Sequence, residues 1–281
     1  MSTSFRVVFC CLVFVLGMSL GTFSYSQEAK PEKPAEQTPQ VPPGWKAIPE
    51  DLTANLNTSF YSKYVWRGLE SSKDSLVIFP SFTIGYKGFA FNVWADLDTR
   101  FANPPPGKDK EFKLQETDIT LSYTNRIKPL NLDYTLGWIY YDTDGFDGNT
   151  PTKNQELFTT LALDVPLKPT LSVYQEIETG RAWYATLGLS HGFKIYNDWS
   201  LDLGGWVSYL YNKSSDDYNS LHDGNLWAGL TIPLNRYFSV TPKIQYSFPL
   251  GSNAADRIEA NSYNGKDSNF VYGGIIFDLK F

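Results

Sequence analysis

The chain has 281 residues, 42% hydrophobic, 16% aromatic and 19% charged, with 24 Lys and Arg against 30 Asp and Glu and a formal charge of −6. A mean hydropathy of −0.29 excludes a bundle of membrane helices, each of which needs about 20 consecutive apolar residues, and the acidic balance offers nucleic acid no basic patch. Two His and two Cys leave few parts for zinc, thiol or imidazole chemistry, whereas 8 Trp, 18 Tyr and 19 Phe are a large aromatic complement for so polar a chain.

Residues 1–26 read as an export signal. Arg6 precedes an apolar stretch from Val7 to Leu20, and Ser24-Tyr25-Ser26 places small residues for cleavage before Gln27. Both cysteines, Cys10 and Cys11, lie inside this segment, so the exported chain is expected to hold no disulfide. Residues 27–50 form a different material, with Pro31, Pro34, Pro39, Pro42, Pro43 and Pro49 among Glu and Lys. Such a stretch can neither ladder nor wind into a helix, and reads as a semi-rigid periplasmic linker. The remainder, 51–281, forms the folded domain.

From Asp51 onward apolar residues alternate with polar ones in segments of about ten, the mark of half-buried strands. In chain order the apolar faces run through Leu56 and Phe60; Phe82, Ile84 and Tyr86; Phe89 to Leu97; Ile119, Leu121 and Tyr123; Leu132 to Tyr140; Leu157 to Val165; and Leu171, Val173 and Ile177. They continue through Trp183 to Leu189; Leu201 to Tyr211; Leu226 to Leu234; Phe238 to Phe248; and Val271 to Phe281. This predicts twelve strands. Short turns are expected at Lys87-Gly88, Asn125–Pro129, Pro166–Pro169, His191–Asp198 and Pro233–Arg236. Longer polar loops are expected near 67–75, 99–112, 142–154, 212–224 and 249–269, with the short Glu178–Ala182 link out of pattern.

Short turns on one rim and long loops on the other describe a transmembrane antiparallel up-and-down β-barrel of about 12 strands in the outer membrane. A secreted soluble barrel would show the same alternation with its faces reversed. Aromatics near strand ends on the apolar face (Phe60, Tyr86, Phe89, Tyr123, Tyr140, Trp183, Tyr211, Tyr246, Phe248) favour the membrane, as interfacial girdles do. Phe281 closes the last alternating strand and is the expected signal to the barrel-assembly machinery. Outer-membrane lipid is the expected surround.

The stretch Ser62-Lys63-Tyr64-Val65-Trp66-Arg67-Gly68, followed by Pro80, Gly88-Phe89 and Trp94-Ala95, resembles the TorF-family porins. It departs from them at Leu69-Glu70-Ser71-Ser72, where a run of small residues is commoner. The resemblance implies an outer-membrane barrel with a transport role. Within it, Arg67-Gly68 reads either as a lumen charge beside a tight turn or as a folding element.

With the apolar faces in lipid, the pore lining is expected to carry Asp96, Asp98, Glu116, Asp118, Asp133, Glu156, Asp164, Glu176, Glu178, Asp202 and Asp278 against Lys63, Arg67, Lys243 and Lys280, with Tyr61, Trp94, Tyr174, Tyr184, Trp206 and Trp227 between them. An acidic wall favours cations because the low-dielectric surround focuses its field. Twelve strands lie between filled eight-stranded barrels and open sixteen-stranded porins, so a narrow pore for small cationic or neutral solutes is expected; a non-conducting scaffold or surface-binding barrel is the alternative. The lumen aromatics could stack on a sugar or nucleobase, or simply fill volume. No motif calls for a metal or a cofactor. A lipid hydrolase would need His191 or His222 as base; Ser190 points away from His191, and His222 reads as part of a solvated Ser/Asp-rich loop.

Overall fold

The computed structural model describes residues 49, 51–72, 75–99, 112–143, 152–178, 181–213, 217–263 and 265–281. The export signal at 1–26 and all but Pro49 of the linker at 27–50 lie outside them. Within the described residues the alternation becomes β1 (Leu52–Tyr61), a small inserted hairpin of β2 (Val65–Trp66) and β3 (Leu69–Glu70), β4 (Val77–Tyr86), β5 (Phe89–Asp98) and β6 (Lys113–Ile127). Then come β7 (Leu132–Thr143), β8 (Thr152–Leu163), β9 (Thr170–Glu176), β10 (Ala182–Tyr196), β11 (Trp199–Asn212) and β12 (Tyr218–Pro233). The chain ends with β13 (Phe238–Pro249), helix α1 (Ser252–Asn261) and β14 (Phe270–Lys280).

All strands except β2 and β3 join one closed barrel of twelve, antiparallel throughout and sealed where β1 pairs with both β4 and β14. Closure leaves no strand edge, so every ladder finds its partner within the chain. The β4–β5 and β12–β13 ladders each skip two positions, next to Pro80 and Pro242. Proline has no N–H to give, and the neighbouring ladders β1–β4 and β13–β14 run through the same residues unbroken.

The faces are inverted relative to a soluble barrel. Leu56, Phe82, Ile84, Phe89, Leu121, Leu136, Leu157, Leu187, Leu203, Leu226, Ile244 and Val271 are all exposed on the outside. The fully covered side chains facing in are largely polar, among them Asp96, Asp98, Glu156, Ser208, Asp223, Asn225 and Ser247. Tyr86, Phe89, Trp183 and Tyr246 stand exposed on the outer face, where the girdles were expected.

Lys87 and Gly88 both take positive φ (51° and 88°), as a two-residue hairpin turn of the primed type requires. Two expectations on connections are corrected. The turn placed at His191–Asp198 is only Asn197-Asp198, because β10 runs on to Tyr196 and β11 starts at Trp199. The loop placed at 212–224 ends before Tyr218, where β12 begins, so Leu221 to Gly224 belong to the wall.

Inside, the ring of Phe158 lies over Gly137 on the neighbouring strand: a Cβ at Gly137 would sit 2.3 Å from that ring. The aromatic covers the bare backbone that glycine leaves. Gly137→Val is expected to lower stability by about 1–3 kcal/mol through overpacking. The urea midpoint of the refolded barrel checks this, and an unchanged midpoint would contradict the packing described.

Candidate functional site

The long-loop end of the barrel is filled by its own first loop. β1 stops at Tyr61, and the chain turns inward through Lys63 and Tyr64 into the β2–β3 hairpin. Val65 pairs with Glu70 and Trp66 with Leu69, leaving Arg67-Gly68 as a two-residue tip. Both tip residues have positive φ (49° and 80°), so the glycine is demanded by the turn, and a Cβ there would also meet Asp223 Cβ at 2.9 Å.

Arg67 crosses the lumen to β8. Its guanidinium donates twice to Glu156, at 2.9 and 2.6 Å, and Tyr141 on β7 donates to the same carboxylate at 2.9 Å. The rings of Trp66, Tyr184 and Tyr174 lie around the cation at 4.4, 4.5 and 5.2 Å. Paired charge, parallel hydrogen bonds and aromatic faces together form a setting that guanidinium fills and ammonium would not.

The other side of the tip is held from β12. His222 Nε2 lies 3.1 Å from the Arg67 carbonyl. A carbonyl only accepts, so this nitrogen carries the proton and donates. Asp223 accepts from Ser208 at 2.5 Å and from Tyr184 at 2.9 Å. A bulge opposite Ser208 turns both His222 and Asp223 inward, since Val207 pairs with Gly224 while Tyr209 pairs with Leu221. The expectation of a solvated His222 is therefore wrong: the residue is 1% exposed.

The hairpin's flanks are tied as firmly. Lys63 pairs with Glu70 at 2.5 Å, and Tyr64 donates to Glu116 on β6 at 2.9 Å. The Glu70 N–H donates to Ser262 Oγ, and its carbonyl accepts from the Tyr263 N–H, both just beyond α1. Ile258 of α1 is completely buried with Tyr61, Val77, Phe79, Phe270 and Tyr272, and this apolar cluster seals the hairpin beneath the helix.

The expected pore-lining residues divide. Trp94, Asp96, Asp98, Glu116, Asp118, Glu176, Asp202, Trp206, Trp227 and Lys243 share the inward face of the wall by register with the buried polar positions. Asp96, Glu116 and Asp118 gather where β5 and β6 pair, and one carboxylate oxygen each of Asp96 and Asp118 has no hydrogen-bond partner. Lys243 lies over the Trp227 ring at 4.7 Å, and Asp202 accepts from Ser200 and Thr231.

Five of the expected lining residues stand away from the middle of the wall. Lys63 lies on the segment that leads into the inserted hairpin and Arg67 at the hairpin's tip, both beyond the end of the first strand. Asp133 and Asp164 sit at the short-turn rim, partly exposed and held by Arg126 at 2.6 and 3.0 Å. Glu178 lies past the end of β9, exposed, beside Gln155 at 3.5 Å and off the lumen wall. Finally, Lys113, Arg126 and Lys194 also face inward by register, opposite Asp98, Asp133 and Ser200, so the acidic excess of the wall is smaller than the sequence implied.

A cavity of about 240 Å³ lies between the hairpin and β11–β14, lined by Tyr61, Tyr64, Trp206, Asn225, Ser247 and Tyr272 among others.

No family model matches the sequence, and no curated protein matches it. Among solved structures the chain is similar to the NanC porin (10% identity, TM-score 0.46, covering 81% of this chain and 98% of that one). It is also similar to an outer-membrane channel from Pseudomonas putida F1 (11%, 0.45, 86% and 100%) and to the calcium-bound outer-membrane phospholipase dimer of Salmonella typhi (14%, 0.44, 85% and 94%). At such identities and TM-scores the likeness assigns this chain no function.

The buried ion pair yields a prediction. Glu156→Gln leaves a guanidinium buried without its counter-charge and is expected to cost about 3–5 kcal/mol. The double variant Arg67→Met with Glu156→Gln is expected to recover most of that loss. Urea midpoints of the four refolded proteins form the cycle; additive single effects would show that the two groups do not interact.

Proposed function

We propose that this chain is an outer-membrane β-barrel channel of narrow bore, passing small cationic or neutral solutes, with the β2–β3 hairpin as its constriction. The observation that carries the reading is the pair of inverted faces: exposed leucine, isoleucine, valine and phenylalanine outside, and carboxylates, hydroxyls and amides inside. Apolar surface on that scale around a closed barrel is matched to lipid, and a polar interior is matched to a water-borne solute. In this setting the resemblance of Ser62–Gly68 to the TorF-family porins has a physical counterpart, because those residues are the ones folded into the lumen. Phe281, exposed at the barrel's end and tied to Ala54 by two backbone bonds, is read as the handle for the assembly machinery. The linker at 27–50 is read as periplasmic.

Cation preference rests on Asp96, Glu116 and Asp118 on one wall and Asp202 nearer the short-turn end. Lipid hydrolysis is disfavoured because Ser190 faces inward while His191 faces outward against Phe193, and His222 is engaged with the hairpin. One observation favours the non-conducting scaffold as a second reading, namely the apolar cluster that joins α1 to the hairpin across the long-loop end.

In a planar bilayer under a salt gradient, the channel is expected to show a cation-selective reversal potential. Asp118→Asn combined with Asp202→Asn is expected to move that potential toward zero. An unchanged reversal potential would count against the acidic wall as the selectivity element, and a silent folded barrel would favour the scaffold.

A further inference from the structure

The cavity beneath the hairpin has an inner surface whose chemistry is specific. Three residues of its lining each carry a buried polar atom with no hydrogen-bond partner: Trp206 at Nε1, Asn225 at Oδ1 and Ser247 at Oγ. Asn225 and Ser247 are 2% and 1% exposed, and they stand opposite one another on β12 and β13, with Trp206 opposite Asn225 on β11. One donor, one acceptor and one hydroxyl that can do either thus lie in a row across three strands. A buried polar atom left unmade costs free energy, so the row calls for a guest.

The charges lining the same cavity are already spent. Lys63 is held by Glu70, Arg67 by Glu156, and Asp223 by the hydroxyls of Ser208 and Tyr184. What remains on offer is neutral hydrogen bonding, to which Gln245 adds an amide, beside the rings of Tyr61, Tyr64, Phe79 and Tyr272. The volume is close to that of about eight water molecules and below the usual range for drug-sized ligands.

We propose that this cavity binds one uncharged polyhydroxyl molecule of monosaccharide size, its hydroxyls bonding Trp206, Asn225 and Ser247 and its apolar face lying on the tyrosines. The site deepens the channel reading by naming a solute class. Its test reads binding rather than current, so the two proposals can fail separately.

The full chain is refolded in detergent micelles, with folding checked by heat-modifiable gel migration. D-glucose and myo-inositol serve as neutral probes, and gluconate and putrescine as charged ones, in equilibrium dialysis. Saturable binding of at least one neutral probe at one per chain is expected, with both charged probes at least ~10-fold weaker because an unpaired charge would enter a site of neutral groups. Trp206→Phe keeps a ring and removes only the N–H; Ser247→Ala removes only the hydroxyl. Each is expected to weaken binding about 3- to 10-fold, the worth of one net hydrogen bond. No saturable binding of either neutral probe by the folded barrel would overturn the proposal and leave water as the guest. So would equal affinity in both variants, or a charged probe that binds as tightly as the neutral ones.

Discussion

The guanidinium of Arg67 meeting the carboxylate of Glu156 inside the barrel is the contact on which the interior depends. A hairpin of two-residue strands has almost no stability of its own. It holds its place because its tip is clamped on one side by Glu156, Tyr141 and the surrounding rings, and on the other by His222 and Asp223. These anchors come from β7, β8, β10 and β12, so the hairpin ties opposite walls together. Removing either partner of the pair leaves the other as an uncompensated charge where water is scarce, which makes the arrangement all-or-none rather than graded.

This clamp organises the lumen into two zones. Toward the long loops lie the hairpin, α1 and the apolar cluster around Ile258, where charges are paired and rings are packed. Toward the short turns the inward residues are small or polar and partly exposed, as at Asn57, Thr83, Asn92, Thr160 and Thr186. The acidic group of Asp96, Glu116 and Asp118 lies beside the hairpin, where Tyr64 donates to Glu116, and the cavity beside Trp206 lies against Arg67 and Gly68 of the hairpin tip.

Much of this architecture was legible in the residues, because strand period and barrel closure are local and repetitive. Alternation placed Asp96, Asp98, Glu116, Asp118, Trp206 and Trp227 on the correct face without knowledge of any contact. It failed where the period slips. Leu221 and Leu226 both face outward although they stand five positions apart, an odd offset that is arithmetically impossible for a regular strand and requires the bulge at His222-Asp223. The same arithmetic applies to Leu114 and Ile119, on either side of the irregularity near Gln115. That signal was present and was hidden by the Ser/Asp-rich composition around it. The inward fold of the first loop was not legible at all. Nothing in the spacing of Arg67 and Glu156, far apart in the chain, announces that they meet; only the Arg-Gly tip, with its demand for positive φ, marks a tight turn at that point.

In the proposed channel the hairpin is the constriction. Single-channel recording of the wild type beside the Arg67→Met, Glu156→Gln double variant tests this most directly, because the variant releases the clamp without stranding a buried charge. Larger unit conductance, or frequent excursions to a larger level, is expected in the variant, while the barrel remains folded by gel migration. Identical conductance in the two proteins would contradict it.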